Sequence, residues 1–305
     1  MSDPNTGNQH EATERGRSAA PVQFPGFYFV AFIDLLGQSD ELAQIGRIPK
    51  SEEERNQFFT TMIQVGTVTR NVRDSFSTYF STMSSLQPSV EHIRPDKREE
   101  FTRINARMVL SIGFSDSFVV SLPLQAVTTV PEPEGFARSA TSLWHALLGL
   151  ACMSLSALQQ GIPLRGGIDV GLGTEMFPNE VYGPALLNAY RLESQVAEYP
   201  RTALGENLGA YLAMLEQLPQ DVPLNEYTKN MVGLCRKLIC AAPDDGWPML
   251  HFLSPVVMDA PGNFVAAKRV ASDWVRGRIN HYRTERNGKL FRRYVRLARY
   301  FGSYP

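Results

Sequence analysis

The chain has 305 residues, 43% hydrophobic and 20% charged, and its 30 basic and 31 acidic residues leave a net charge of −1. This is an ordinary globular composition with length enough for a sizeable core. The charge balance removes any general electrostatic pull toward nucleic acid or an anionic membrane.

Residues 1–23 are polar, mixed in charge and without an apolar segment, and read as a disordered tail rather than a signal peptide. Residues 26–33 (GFYFVAFI) are aromatic and β-branched and read as a buried strand ended by Asp34. A helix is expected over 52–83, entered through a capping box of Ser51 and Glu54. Residues 88–100 read as a loop or insertion. Residues 107–112 and 118–122 are short apolar runs separated by Gly113 to Ser117, the pattern of a β-hairpin with Asp116 at its turn.

The stretch 131–135 (PEPEG) is a linker signal. A helix over 136–160 follows, stopped by Gly161 and Pro163. Its apolar part, 143–158, includes His145 and several serines and falls short of the roughly 20 apolar residues of a membrane span, so it reads as a buried helix and no membrane insertion is expected. Next come a glycine-rich strand over 164–172 (LRGGIDVGL), a helix over 185–198, a strand over 200–204, helices over 206–218 and 224–240, a short strand over 248–253 and a basic, largely helical tail over 266–300.

The first six elements have the order β, α, β, β, α, β. The expected fold is therefore α+β with a ferredoxin-like βαββαβ core, helices stacked on one face of an antiparallel sheet, and additional C-terminal helices. Three segments are expected: the tail 1–23, a catalytic domain 24–255 and a basic helical extension 256–305. Cys152, Cys235 and Cys240 form no C-x-x-C pair, which suggests a reducing, cytoplasmic setting. The five histidines are scattered, which argues against zinc.

Asp34 in Phe32-Ile33-Asp34-Leu35-Leu36-Gly37 and Asp116 in Gly113-Phe114-Ser115-Asp116-Ser117-Phe118 each follow an apolar run at a predicted strand end. A ferredoxin-like sheet can bring them together. Two such carboxylates can hold two divalent ions about 3.5–4 Å apart. Leu35, Leu36 and Gly37, at a strand-to-helix turn, could present backbone N–H donors to a polyphosphate. Taken singly, Asp34 could cap a helix and Asp116 favour a turn. Ser115 and Ser117 lack the second glycine of a nucleophile elbow.

These stretches resemble the motifs of class III nucleotide cyclases. F-I-D-L-L-G and I-G-F-S-D-S-F are similar to the two metal motifs. Arg165-Gly166-Gly167-Ile168-Asp169-Val170-Gly171 resembles the R-x-G-I-x-x-G strand, and residues 182–193 (YGPALLNAYRLE) resemble the W-G-x-x-V-N-x-A-x-R-L-E helix. All four stand in the family's order. The likeness is closer still to the pyrimidine cyclases of bacterial antiphage systems, the Pycsar cyclases, over residues 27 to about 253. It implies Asp34 and Asp116 as ligands of two Mg2+ or Mn2+ ions, a nucleoside triphosphate substrate, and a homodimer with shared sites to which Arg191 comes from the partner. It also implies a 3′,5′-cyclic pyrimidine nucleotide product and a downstream effector that senses it, with UTP favoured over CTP.

The sequence departs from the pattern in places. Ile112 stands where purine cyclases carry a base reader, and Glu180 is a second candidate for the base pocket. The family's asparagine falls on Leu187, with Asn188 one place away, a rotation of about 100° on a helix. Arg191 could also be an ordinary surface arginine, and Arg165 could support the neighbouring carboxylates. Tyr190 reads as core or pocket, and Arg292, Arg296 and Arg299, with Arg293 alongside, as a solvated face. A purine cyclase and a catalytically weak or dead nucleotide-binding module are the competing readings.

Overall fold

The computed structural model describes residues 24–38, 45–85, 95, 98, 110–126, 132–177 and 180–304. The expected tail 1–23, most of the expected loop 88–100, and 107–109 of the expected hairpin lie outside the described residues.

Strand β1 (Phe24–Leu35) is followed by α1 (Glu52–Ser85), β2 (Leu110–Phe114), β3 (Ser117–Ala126), α2 (Pro133–Gln159) and β4 (Leu164–Phe177). These strands lie in the order β2-β3-β1-β4, every neighbour antiparallel. This is the ferredoxin-like α+β core expected from the element order. Beyond β4 the sheet is extended by β6 (Thr202–Leu204), which runs parallel to β4, and by the antiparallel β8 (Pro248–Leu250) and β7 (Ile239–Ala241), while β5 (Glu180–Tyr182) folds back on the far end of β4. The remaining helices among the described residues are α3 (Pro184–Arg191), α4 (Glu206–Glu216), α5 (Pro223–Lys237), α6 (Pro255–Met258), α7 (Phe264–Thr284) and α8 (Gly288–Ser303).

Alternation along β1 sorts its side chains between two layers. Phe29, Ala31, Ile33 and Leu35 enter the main core with Phe76 and Phe80 of α1 and the apolar residues of α2. Tyr28, Val30 and Phe32 face the other way, onto Ala185 and Ala189 of α3. Helix α2 is long and apolar enough to cross a membrane, but 83% of its apolar window is buried inside the protein. The capping box of α1 is present, with Glu54 N–H donating to Ser51 Oγ at 3.1 Å and Ser51 N–H to Glu54 Oε2 at 3.3 Å.

Several boundaries differ from expectation. Pro133-Glu134-Gly135 is the first turn of α2 rather than linker, since proline at the first helical position loses no hydrogen bond. The expected helix 224–240 stops at Lys237, and Ile239–Ala241 pairs with β8, because so short an apolar run carries no decisive period. The expected helix 185–198 ends as α3 at Arg191 and continues as a π-helical turn, Leu192–Val196. The basic tail is two helices, broken where Arg286 takes a φ of 56° and Asn287 Oδ1 accepts from Leu290 N–H at 3.2 Å to cap α8. Both pack into the main core through Ala271, Val275, Leu297 and Tyr300.

Candidate active site

Asp34 continues the Tyr28-Val30-Phe32 alternation and so emerges on the α3 face at the end of β1. Its register partners are Ser117 on β3 and Arg165 on β4. Ser117 Oγ donates to Asp34 Oδ1 at 2.9 Å, and Arg165 Nη2 donates to Asp34 Oδ2 at 3.1 Å. The same Nη2 lies 2.5 Å from Glu193 Oε1. Arg165 thus bridges two carboxylates, one on a strand and one on the π turn.

Asp116 occupies the two-residue turn between Phe114 and Ser117. Ser115 opens that turn at a φ of 54°, a left-handed conformation that a tight hairpin requires and that a residue other than glycine adopts under strain. The Asp116 carbonyl accepts from Leu35 N–H at 3.0 Å, which clamps the hairpin turn onto the end of β1. The structure therefore brings Asp34 and Asp116 together.

The π turn places the third acid. Ala197 N–H donates to Leu192 O at 2.9 Å, closing a wide turn around Glu193, which is 3% exposed. Gly167 lets the turn lie on the sheet: a Cβ there would sit 2.1 Å from Ala189 O and 2.7 Å from Glu193 N. Burial raises the pKa of Asp34 above its ordinary value, opposed by the Ser117 hydrogen bond and Arg165 and reinforced by Asp116. Burial likewise raises that of Glu193, opposed by Arg165 and reinforced by Asp34 and Asp116.

Three carboxylates against one guanidinium leave surplus negative charge in a partly buried cluster of hard oxygen donors. That donor chemistry suits Mg2+ or Mn2+. Among the described residues no group of three or more His, Cys, Asp or Glu side chains is placed to hold a metal ion. Asp34 and Asp116 would hold the ions, and phosphate and water oxygens would fill the remaining positions, as is usual for Mg2+.

The other expected residues are distributed as follows. Leu35 and Leu36 do not offer their amides to a phosphate. Leu35 N–H is taken by Asp116 O, and Leu36 N–H donates to Pro163 O at 3.0 Å, because this turn closes the sheet end. Gly37, at a φ of 97°, is exposed. Ile112 pairs with Val119, on the face shared by Phe32 and Asp34. Glu180 pairs with Phe177, twelve residues along β4 from Arg165, roughly 40 Å at strand rise, so it does not reach Asp34 of its own chain.

Asn188 and Arg191 line a separate cavity of about 260 Å³ with Asn207 and Trp247, centred on the buried Asp169. Asp169 accepts from Asn188 Nδ2 at 3.2 Å, from Asn207 Nδ2 at 2.8 Å and from Leu208 N–H at 3.0 Å, which caps α4 from another strand. Asn188 is thus engaged in holding α3 to α4. Arg191 is exposed beside it. Sequence reasoning missed Ser117 and Glu193 as site residues. The signal for Glu193 was the acid closing Arg191-Leu192-Glu193, whose burial depends on the π turn.

No family model and no curated protein matches the chain. Nine solved chains match. One is the adenylyl cyclase CyaB from P. aeruginosa, 12% identical over 63% of this chain and 83% of that one, with a TM-score of 0.34. Another is the guanylyl cyclase Cya2, 12% identical over 63% of this chain and 80% of that one, with a TM-score of 0.31. Likeness at this level transfers no residue role.

Proposed function

We propose that the chain is a nucleotide cyclase that converts a pyrimidine nucleoside triphosphate, UTP before CTP, to the 3′,5′-cyclic monophosphate. The observation that carries this reading is the pairing of Asp34 with Asp116 at one sheet end, in a cluster with more negative charge than Arg165 neutralises. In the reaction the ribose 3′-oxygen forms a bond to the α-phosphorus, the bond from that phosphorus to the β-phosphate oxygen breaks, pyrophosphate leaves and the hydroxyl proton is released. Bound divalent ions would supply acidification of the hydroxyl and neutralisation of the phosphates.

The chain's own residues hold that site in shape. Arg165 orients Asp34 and Glu193, and Ser117 fixes the other oxygen of Asp34. Arg191 comes from a second copy to stabilise charge on the transferring phosphoryl group. Leu187 and Tyr190, 46% and 49% exposed on the same helix, give that copy an apolar face to cover. Ile112 offers no polar reader for a purine edge, which favours a pyrimidine. By resemblance, the product signals to an effector in antiphage defence.

The test is to incubate the chain with ATP, GTP, CTP and UTP separately in Mn2+ and in Mg2+, with Asp116→Ala alongside, and identify products by mass spectrometry. Cyclic UMP or CMP that vanishes in the variant is the expected result. Cyclic AMP or GMP alone overturns the base preference, and no product under any condition leaves the nucleotide-binding module as the better reading.

A further inference from the structure

A cavity of about 740 Å³ opens beside the turn that follows Asp34. Its walls are Gly37 and Gln38 from that turn, Pro163 before β4, Arg278 on α7, and Lys289 and Arg293 on α8. Among the described residues no acidic side chain lines it. Among the described residues, Arg278, Lys289 and Arg293 form no ion pair with a carboxylate, whereas Arg165, Arg201, Arg236 and Arg296 each do. Three cations around one polar concavity repel one another, and an anion bound there relieves the repulsion.

A further feature points to an anion. The Nε–H of Arg278 is a buried donor without a hydrogen-bond partner. Arg278 is held in place by the ring faces of Trp274 and Tyr282, with its carbon 5.8 and 4.7 Å from their centroids, and by a hydrogen bond to Tyr282 Oη. A guanidinium fixed in this way is held in place for its remaining N–H groups to meet an oxyanion. The capped first turn of α8 adds the positive end of its dipole to the same wall.

We infer that this cavity binds the terminal phosphates of the nucleoside triphosphate, through Arg278, Lys289 and Arg293. This rests on the proposed cyclase reading for the identity of the ligand, though not for its charge. Gly37 is three residues beyond Asp34, at most about 11 Å of chain. The cavity thus opens at the sheet end that carries Asp34. The amides of Leu35 and Leu36 are engaged within the fold, so side chains from the C-terminal helices supply contacts that those two amides cannot. A nucleic acid would instead require an open basic stripe along its backbone.

The test uses the full chain and inorganic tripolyphosphate, titrated calorimetrically in metal-free, low-salt buffer. Wild type should bind it, more weakly as salt is raised. Lys289→Ala combined with Arg293→Gln should weaken binding at least about ten-fold, since each charge-assisted contact is worth about that factor. The exposed Lys289→Glu alone should weaken it in the same direction, which guards against misfolding of the double variant. Where the cyclase is active, these variants should raise KM for the triphosphate more than they lower kcat. Unchanged tripolyphosphate affinity in the variants, or none in wild type, overturns the inference and leaves the cyclase reading intact. Loss of tripolyphosphate binding in the variants of a protein that cyclises nothing supports the anion site and overturns the cyclase reading alone.

Discussion

Asp34 is the residue on which the site turns, and its environment costs stability. It is buried enough for its carboxyl to titrate above the ordinary 3.8, yet it shares Arg165 with Glu193 and lies near Asp116. A carboxyl whose folded pKa is raised is favoured protonated, so stability is lost as the pH rises from the unfolded pKa through the folded one and stays lower above it. Asp34→Asn leaves Arg165 paired with Glu193 and removes one surplus charge. We expect it to raise the metal-free melting temperature at pH 8, by an amount equivalent to about 0.5–2 kcal/mol, as when a strained functional site is relaxed. The gain should vanish as the pH falls below the ordinary carboxyl pKa, and Mn2+ binding should be lost at every pH. Thermal scans at several pH values with a Mn2+ titration check both. An unchanged or lowered melting temperature at pH 8 would show that Asp34 stabilises the fold.

At the scale of elements, the site depends on how α3 and its π turn lie against β4. Every second residue from Arg165 faces them, and three of those are Gly167, Gly171 and Gly173. The resulting groove lets helix backbone touch strand backbone and carries Glu193 to Arg165. Gly167→Ala would place a methyl 2.1 Å from Ala189 O and 2.6 Å from Leu192 Cβ. We expect a loss of about 1–3 kcal/mol from overpacking, read from the urea midpoint. Because the same methyl meets Glu193 N–H, Mn2+ affinity should fall as well. Stability lost with metal affinity intact would mean that the π turn shifts without disturbing the acids.

For the whole molecule, the notable feature is how much of the core comes from the C-terminus. Tyr300 is fully buried, its Oη 2.8 Å from His251 Nδ1 and accepting from Leu253 N–H at 3.0 Å. Arg296 pairs with Glu198 and Asp244, so part of the expected solvated face fastens α8 to the segment before β6 and to the β7–β8 turn. His251 and, in α2, His145 are both buried, and burial lowers each pKa from 6.5 to about 4. With the folded pKa depressed, the unfolded chain takes up protons first. Stability is therefore lost as the pH falls below 6.5, by up to about 1.4 kcal/mol per pH unit for each histidine. The raised carboxyls Asp34 and Glu193 act in the opposite direction. His145→Phe, which keeps the ring volume, should remove about half of the histidine effect. Denaturant midpoints between pH 7.5 and 5 measure it, and equal slopes in variant and wild type would exclude His145 as a contributor.

The residues by themselves determined the order of elements, the ferredoxin-like core, the α1 capping box and the placing of Asp34 and Asp116 at strand ends. These follow from local properties: side-chain period, caps and turn residues act within a few positions and are written in the chain. Only the tertiary structure decided which groups meet those aspartates. Ser117 and Arg165 reach Asp34 through strand register, Glu193 through a π turn whose extra residue no periodicity announces, and the Leu35 and Leu36 amides are consumed by partners 81 and 127 residues away. The cations of α7 and α8 reach the Gly37 turn only because their apolar faces close the core of a sheet begun some 250 residues earlier. Contacts at such separation depend on how packed layers fit together, which a one-dimensional pattern does not encode.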